Sequence, residues 1–282
     1  MLESFLVTSR ETLEAGLVVG IVLAYLNKTN KQNYRKTVYY GIAFGVLASI
    51  ITAFIFTLFS SNFEGRTQQI FEGATMLIGA FLLTTMIFWM MQQRHISREI
   101  EGKVEMHLMN SEPFFSHIGI FMLIFVAIIR EGIETVIFLN AINYASGVHF
   151  IGGTLGIIAA IIAGYLFFVS TRKINLKKLF NISSILLIFF AAGLVAHAFE
   201  VFEEAKMVNG IVNPLFDISP AVNANGTYPL LHENGLIGSF LKGLFGYSTS
   251  PSLLELIAYA SYLGIIFILY KRIGISKAIR TP

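Results

Sequence analysis

The sequence predicts an all-α integral membrane protein. Seven transmembrane helices form an inverted 3+3 repeat plus one, with the N-terminus outside and the C-terminus inside. Three observations carry this reading. Hydrophobic residues make up 55% of the 282 positions and charged residues only 13%, with a mean hydropathy of +0.70. A soluble domain carries about a quarter charged residues. Basic residues fall in alternate connections between the apolar runs. One charged pentapeptide occurs twice, each time inside an apolar run. The composition argues against a soluble protein, a disordered one and a nucleic-acid binder. The absence of Cys rules out disulfides, thiolate metal sites and a Cys nucleophile.

A spanning helix needs about 20 mostly apolar residues. Seven runs qualify, near 5–26, 37–59, 68–91, 115–142, 152–170, 179–200 and 252–271. The first is read as a retained span: it has no basic n-region, and Arg10, Glu11 and Glu14 interrupt it. Lys28, Lys31, Arg35 and Lys36 follow span 1, and Arg94, Arg98 and Lys103 follow span 3. Arg172, Lys173, Lys177 and Lys178 follow span 5, and the tail carries Lys271, Arg272, Lys277 and Arg280. The alternate connections hold only Arg66, Lys206 and Lys242. The positive-inside rule sets the orientation from this sorting. Between spans 3 and 4, Ile96, Ile100, Val104 and Leu108 recur at i, i+4 among charged neighbours. That pattern reads as a helix on the inner surface, with His95 and His107 on its polar face.

The chain is one transmembrane domain over 1–282. Repeat one spans 1–91, an inner-surface linker 92–113, repeat two 114–200, an outer segment 201–250 and the seventh span 252–271. The repeat rests on residues. Arg10-Glu11-Thr12-Leu13-Glu14 in span 1 recurs as Arg130-Glu131-Gly132-Ile133-Glu134 in span 4. GIAFGVLASIITA from Gly41 aligns with GGTLGIIAAIIAG from Gly152, with Gly, Gly, Ala, Ile and Ile at the same spacing. Spans 3 and 6 match only loosely. Three spans per unit invert the second copy relative to the first, and inverted repeats are a common transporter architecture with the site between the halves.

A charge at a helix centre costs about 2.5–3.5 kcal/mol on insertion scales, so three per helix cost roughly 8–10 kcal/mol unpaired. Such residues persist where they face the bundle interior and compensate one another. Arg10 and Glu14 are i, i+4 neighbours, Glu11 and Glu14 are i, i+3, and the same holds for Arg130, Glu131 and Glu134. Across the repeat axis the two helices supply four carboxylates and two guanidinium groups. Carboxylate oxygens are hard donors and suit a hard, highly charged cation. Arg10 and Arg130 support the site by keeping the carboxylates ionised.

The residues that carry this chemistry also carry a resemblance. The chain resembles the ferric iron permease family, the oxidase-dependent iron transporters of fungi and bacteria, whose signature is the R-E-x-x-E pair. Further matches are FEG at 71–73, AAGLVAHAFEVFEEA at 191–205, DIS at 217–219 and LKGLFGYSTSPS at 241–252. The resemblance implies seven spans, iron as cargo and no permanently bound cofactor. It implies Glu11, Glu14, Glu131 and Glu134 as the iron ligands. Thr12 stands where the family's first motif usually has Gly, which adds bulk near the site and bears on ion preference. The family's partners imply a separate iron oxidase or extracytoplasmic iron-binding protein.

Accessory carboxylates extend the ion path. Glu72 lies near the outer end of span 3 and belongs to the FEG stretch. His197, Glu200, Glu203 and Glu204 end span 6 at i, i+3 and i, i+4 spacings that let them gather cations at the outer mouth. The outer segment adds Asp217, His232 and Glu233, and its length suits a cap or a docking surface. No Walker-type phosphate loop, H-E-x-x-H or G-x-S-x-G motif occurs. The leading expectation is a high-affinity permease carrying Fe(III) across a cell membrane (inner or plasma) into the cytoplasm. The alternatives are a divalent cargo (ferrous, manganese or lead ion) through the same site, and an intramembrane acid–base enzyme. The duplicated carboxylate sets argue against the enzyme, because acid–base chemistry needs two carboxylates with separated roles.

Overall fold

Several of the helices carry apolar surface that a soluble protein would bury. The computed structural model describes residues 1–92, 96–108, 113–147, 150–169, 176–208, 212–222 and 227–279. Among them there is no strand. The helices are α1 (Leu2–Lys28), α2 (Arg35–Ser60), α3 (Gly65–Gln92), α4 (Ile96–Leu108), α5 (Pro113–Ser146), α6 (Phe150–Val169), α7 (Leu176–Glu204), α8 (Leu236–Phe245) and α9 (Leu253–Ile279). A single 3-10 turn, Gln32–Tyr34, joins α1 to α2. Of the residues used above, Arg94, His95, Arg172, Lys173 and Arg280 lie outside the described set.

Four segments are long and apolar enough to cross a membrane: Gln32–Ser60, Gly65–Met90, Ser183–Glu204 and Leu253–Arg272. Their outward faces are apolar. On α2, Phe44, Leu47, Ile50, Ile51, Phe54 and Ile55 are all exposed. A continuous surface of this kind marks contact with a non-aqueous neighbour, here the lipid of a membrane. In α1, Glu3, Arg10, Glu11 and Glu14 interrupt the apolar run and all four are buried. These four charges turn inward, as the cost of exposing them to an apolar surrounding requires.

Packing is reciprocal between the two sequence halves. α1 packs chiefly on α6, α2 on α5 and α3 on α7, while α1 and α5 also touch each other. Small residues set the closest approaches. A Cβ on Gly41 would lie 2.9 Å from Ile124 Cβ, and one on Gly45 would lie 2.7 Å from Ile128 Cβ. One on Gly152 would meet Met1, and one on Gly156 would meet Thr8 and Phe5. Gly45 and Gly156 are equivalent in the aligned stretches, and so are their partners Ile128 and Thr8. Contacts advance in the same direction along both partners, so α2 runs parallel to α5 and α1 parallel to α6.

α1 and α5 run antiparallel. Val7, before the first pentapeptide, is buried with Phe138, Ala141 and Ile142, which follow the second. Val22 and Leu26, after the first, are buried with Ile120 and Ile124, which precede the second. The two pentapeptides therefore meet where the helices cross. α4 packs on α1 and α5 through Val104, with Ile100 and Leu108 partly buried beside it. His107 departs from the polar face expected of it: its ring lies against Gly119 of α5, where any Cβ would collide with it.

The segment after α7 contributes α8, which packs on α7, α1 and α5. It sits close because Gly246, its left-handed C-cap with φ 64°, faces Gly193 of α7. A Cβ on Gly193 would lie 2.8 Å from Gly246 Cα. The outer segment thus contains a short helix pressed against three long ones. α7 itself runs to Glu204, past the expected limit near 200.

Candidate metal centre

Helical spacing brings each arginine onto its own glutamate. Arg10 Nε donates to Glu14 Oε1 at 3.1 Å, and Arg130 Nε donates to Glu134 Oε1 at 3.0 Å. In each motif the second carboxylate, Glu14 or Glu134, is thereby held, and the first, Glu11 or Glu131, is left to face the other helix. Glu11, Glu131 and Glu134 each place a carboxylate oxygen within 4.8 Å of the others. Both Glu11 oxygens and Oε2 of Glu131 are buried without a hydrogen-bond partner. Buried carboxylates without donors are costly. A cation bridging them would satisfy all three.

The expected quartet is therefore a trio with one flanking member. Glu14 is buried but turned to Arg10 and does not share the cluster of the other three. The two arginines differ more than their sequences suggest. Arg10 is 2% exposed, and its Nη2 lies 3.2 Å from Met90 Sδ. Arg130 has a side chain 49% exposed, lies 3.8 Å from Glu131 and stacks over Trp89 with its guanidinium carbon 5.6 Å from the ring centroid. The end of α3 thus contacts both motifs through adjacent residues.

The accessory residues pair with different partners. Glu72 accepts from Gln68 at 2.8 Å, within its own helix. Glu204 is exposed and accepts from Gln69 of α3 at 3.4 Å. Glu203 accepts from Asn213 at 3.1 Å. Asp217 is exposed and accepts from the Ser219 backbone N–H at 2.9 Å. Hydrogen bonds from the Ser219 side chain and backbone lower its pKa below the usual carboxylate range. Only His197 and Glu200 of this group come together, with Nδ1 and Oε2 2.7 Å apart. Glu255 of α9 joins them, a residue the sequence reading did not single out. The signal available was a lone carboxylate two residues after the start of an otherwise apolar span.

Residues 1–281 match the Iron permease FTR1 family. The chain is 30% identical over 266 residues to the "Ferrous iron permease EfeU" of Yersinia pestis, covering 93% of this chain and 90% of the relative. It is 30% identical over 268 residues to the protein of that description from Escherichia coli O6:K15:H31, covering 93% and 92%. No solved structure matches the chain. These relatives are permeases, and transport rather than catalysis follows. A charged pentapeptide duplicated on two crossing helices, inside a bundle with a lipid-compatible surface, belongs to a chain that is a member of the iron permease FTR1 family.

Proposed function

We propose that this protein is an inward iron permease of a cell membrane with seven spans, N-terminus outside, in which Glu11, Glu131 and Glu134 form the central ion site. Glu14 completes the ligand set when an ion draws it from Arg10, and Arg10 and Arg130 hold charge balance between ions. The observation that carries the reading is the cluster of orphaned carboxylate oxygens at the crossing of α1 and α5. The reciprocal pairing of α1 with α6 and α2 with α5 supports an inverted repeat around it. An inside-negative potential favours inward cation movement by about 2.3 kcal/mol per charge per 100 mV.

The all-oxygen donor set suits Fe(III), delivered by a separate oxidase or iron-binding partner. Fe(II) is the second reading, favoured by the description of the relatives as ferrous permeases. Uptake of radioactive iron, held in each oxidation state, into proteoliposomes of the purified chain decides between them. In the same assay Glu11→Gln and Glu131→Gln each lower uptake by at least about tenfold, the scale of a transition-metal site losing a well-placed partner. Undiminished uptake in both variants ends the proposal of a shared central site.

A further inference from the structure

The cluster completed by Glu255 lies apart from the arginine motifs and shares no residue with them. His197 and Glu200 sit one turn apart on α7, and Glu255 opens α9, which packs along α7. The nearest ligand atoms of the three all lie within 4.8 Å of one another. Glu255 is 5% exposed, and its Oε2 is buried with no hydrogen-bond partner. These side chains line a cavity of ≈ 40 Å³ that is closed on its other side by α8 and the loop after it, through Lys242, Gly243, Gly246, Tyr247 and Ser248. The one ammonium in that wall is already neutralised: Lys242 Nζ donates to Glu233 Oε2 at 2.8 Å.

We infer that His197, Glu200 and Glu255 form a second cation site, specific for a divalent transition-metal ion. One imidazole nitrogen and two carboxylates are a borderline donor set. Imidazole favours first-row transition ions such as Fe(II), whereas Mg²⁺ and Ca²⁺ take oxygen ligands. The site therefore rejects the abundant hard divalent ions that an all-carboxylate funnel would admit. A histidine binds a metal ion through a ring nitrogen that carries no proton. The identity of the cellular ion as ferrous iron rests on the Fe(II) form of the permease reading above; the binding itself does not.

The test is direct binding to the purified full-length chain in detergent, with Mn²⁺ as a stable, paramagnetic stand-in for Fe(II). Two classes of site are expected by equilibrium dialysis. Glu255→Gln, which keeps shape and polarity, weakens one class by at least about tenfold and leaves the other unchanged. Glu131→Gln does the reverse. Pulsed electron paramagnetic resonance of bound Mn²⁺ shows imidazole nitrogen coupling, which His197→Gln abolishes and Glu131→Gln preserves. Millimolar Mg²⁺ does not displace the nitrogen-coupled ion. Absence of nitrogen coupling, or unchanged affinity in Glu255→Gln, overturns the inference. Failure of iron uptake with both binding classes intact would overturn the transport reading and leave this site standing.

Discussion

Arg10 and Arg130 occupy equivalent positions yet have different surroundings, and their substitutions should differ accordingly. Arg10 is enclosed, and its guanidinium compensates a buried Glu14. Removing one partner of a buried ion pair costs about 3–5 kcal/mol, because the other charge is stranded. Arg130 is half exposed and shares its charge between Glu131 and Glu134, so its substitution leaves fewer enclosed contacts unmade. Arg10→Met should therefore lower the thermal unfolding midpoint in detergent far more than Arg130→Met does. Equal effects would mean that burial of Arg10 does not govern its contribution. The glycine of the second motif is under a related constraint. A Cβ on Gly132 would run into Ser49 of α2. In the first motif that position is Thr12, and the residue equivalent to Ser49 is the smaller Ala160, which is buried beside Leu13. Bulk on one side is offset by its absence on the other. Gly132→Ala should thus overpack the α2–α5 contact, costing about 1–3 kcal/mol, and should reduce the monodisperse fraction on size exclusion. Thr12→Ala should not.

At the scale of elements, α8 is held by an ion pair that titrates far from neutrality. Burial by itself would raise the Glu233 carboxyl. The Lys242 ammonium and the Thr249 N–H and hydroxyl outweigh it and push the pKa down to about 2. A carboxyl with a depressed folded pKa stabilises above its unfolded value, here the ordinary 4.5, and loses that contribution as pH falls toward about 2. Amide exchange over 236–245 should accordingly hold steady from pH 7 to pH 5 and accelerate below that, after correction for intrinsic rates. Lys242→Met removes much of the depression, so the acceleration between pH 5 and pH 2 should shrink relative to the unaltered chain. An acceleration of unchanged size would detach the Glu233–Lys242 pair from the docking of α8. The elements themselves were largely legible. Apolar runs of spanning length, the i, i+4 pattern of α4 and the two aligned Gly stretches all correspond to observed helices and contacts. Pairing between distant helices was less legible. The spacing of Arg10 and Glu14 gives their hydrogen bond, but not that Glu14 stays with Arg10 while Glu134 joins the trio. Glu255 was missed for the same reason: its partners lie on α7, and one carboxylate at the start of an apolar run carries no periodicity.

At the scale of the whole molecule, the arrangement of helices fixes which connections share a side, and the sequence provides an unusual means of testing it. The chain contains no Cys, so every introduced thiol reports alone. If α1 to α3 and α5 to α7 each cross the bilayer, the turn after α1 and the helix α4 lie on one face, and the turn after α2 and the end of α7 lie on the other. Asn30, Asn62, Gly102 and Met207 are exposed points on those four elements, and a Cβ on Gly102 meets nothing within 4 Å. The basic residues Lys28, Lys31, Arg35 and Lys36 flank Asn30, so the positive-inside rule predicts it inside. In intact cells, Asn62→Cys and Met207→Cys should react with a membrane-impermeant maleimide. Asn30→Cys and Gly102→Cys should react only after permeabilisation. The inversion of the repeats depends on this pattern, because an odd number of crossings separates Asn30 from Asn62 and Gly102 from Met207. Labelling of Asn30 and Asn62 from one side would leave α2 lying along the membrane, remove the inverted relation between α1 and α5, and with it the basis for two oppositely directed Arg-Glu-x-x-Glu motifs converging on one ion.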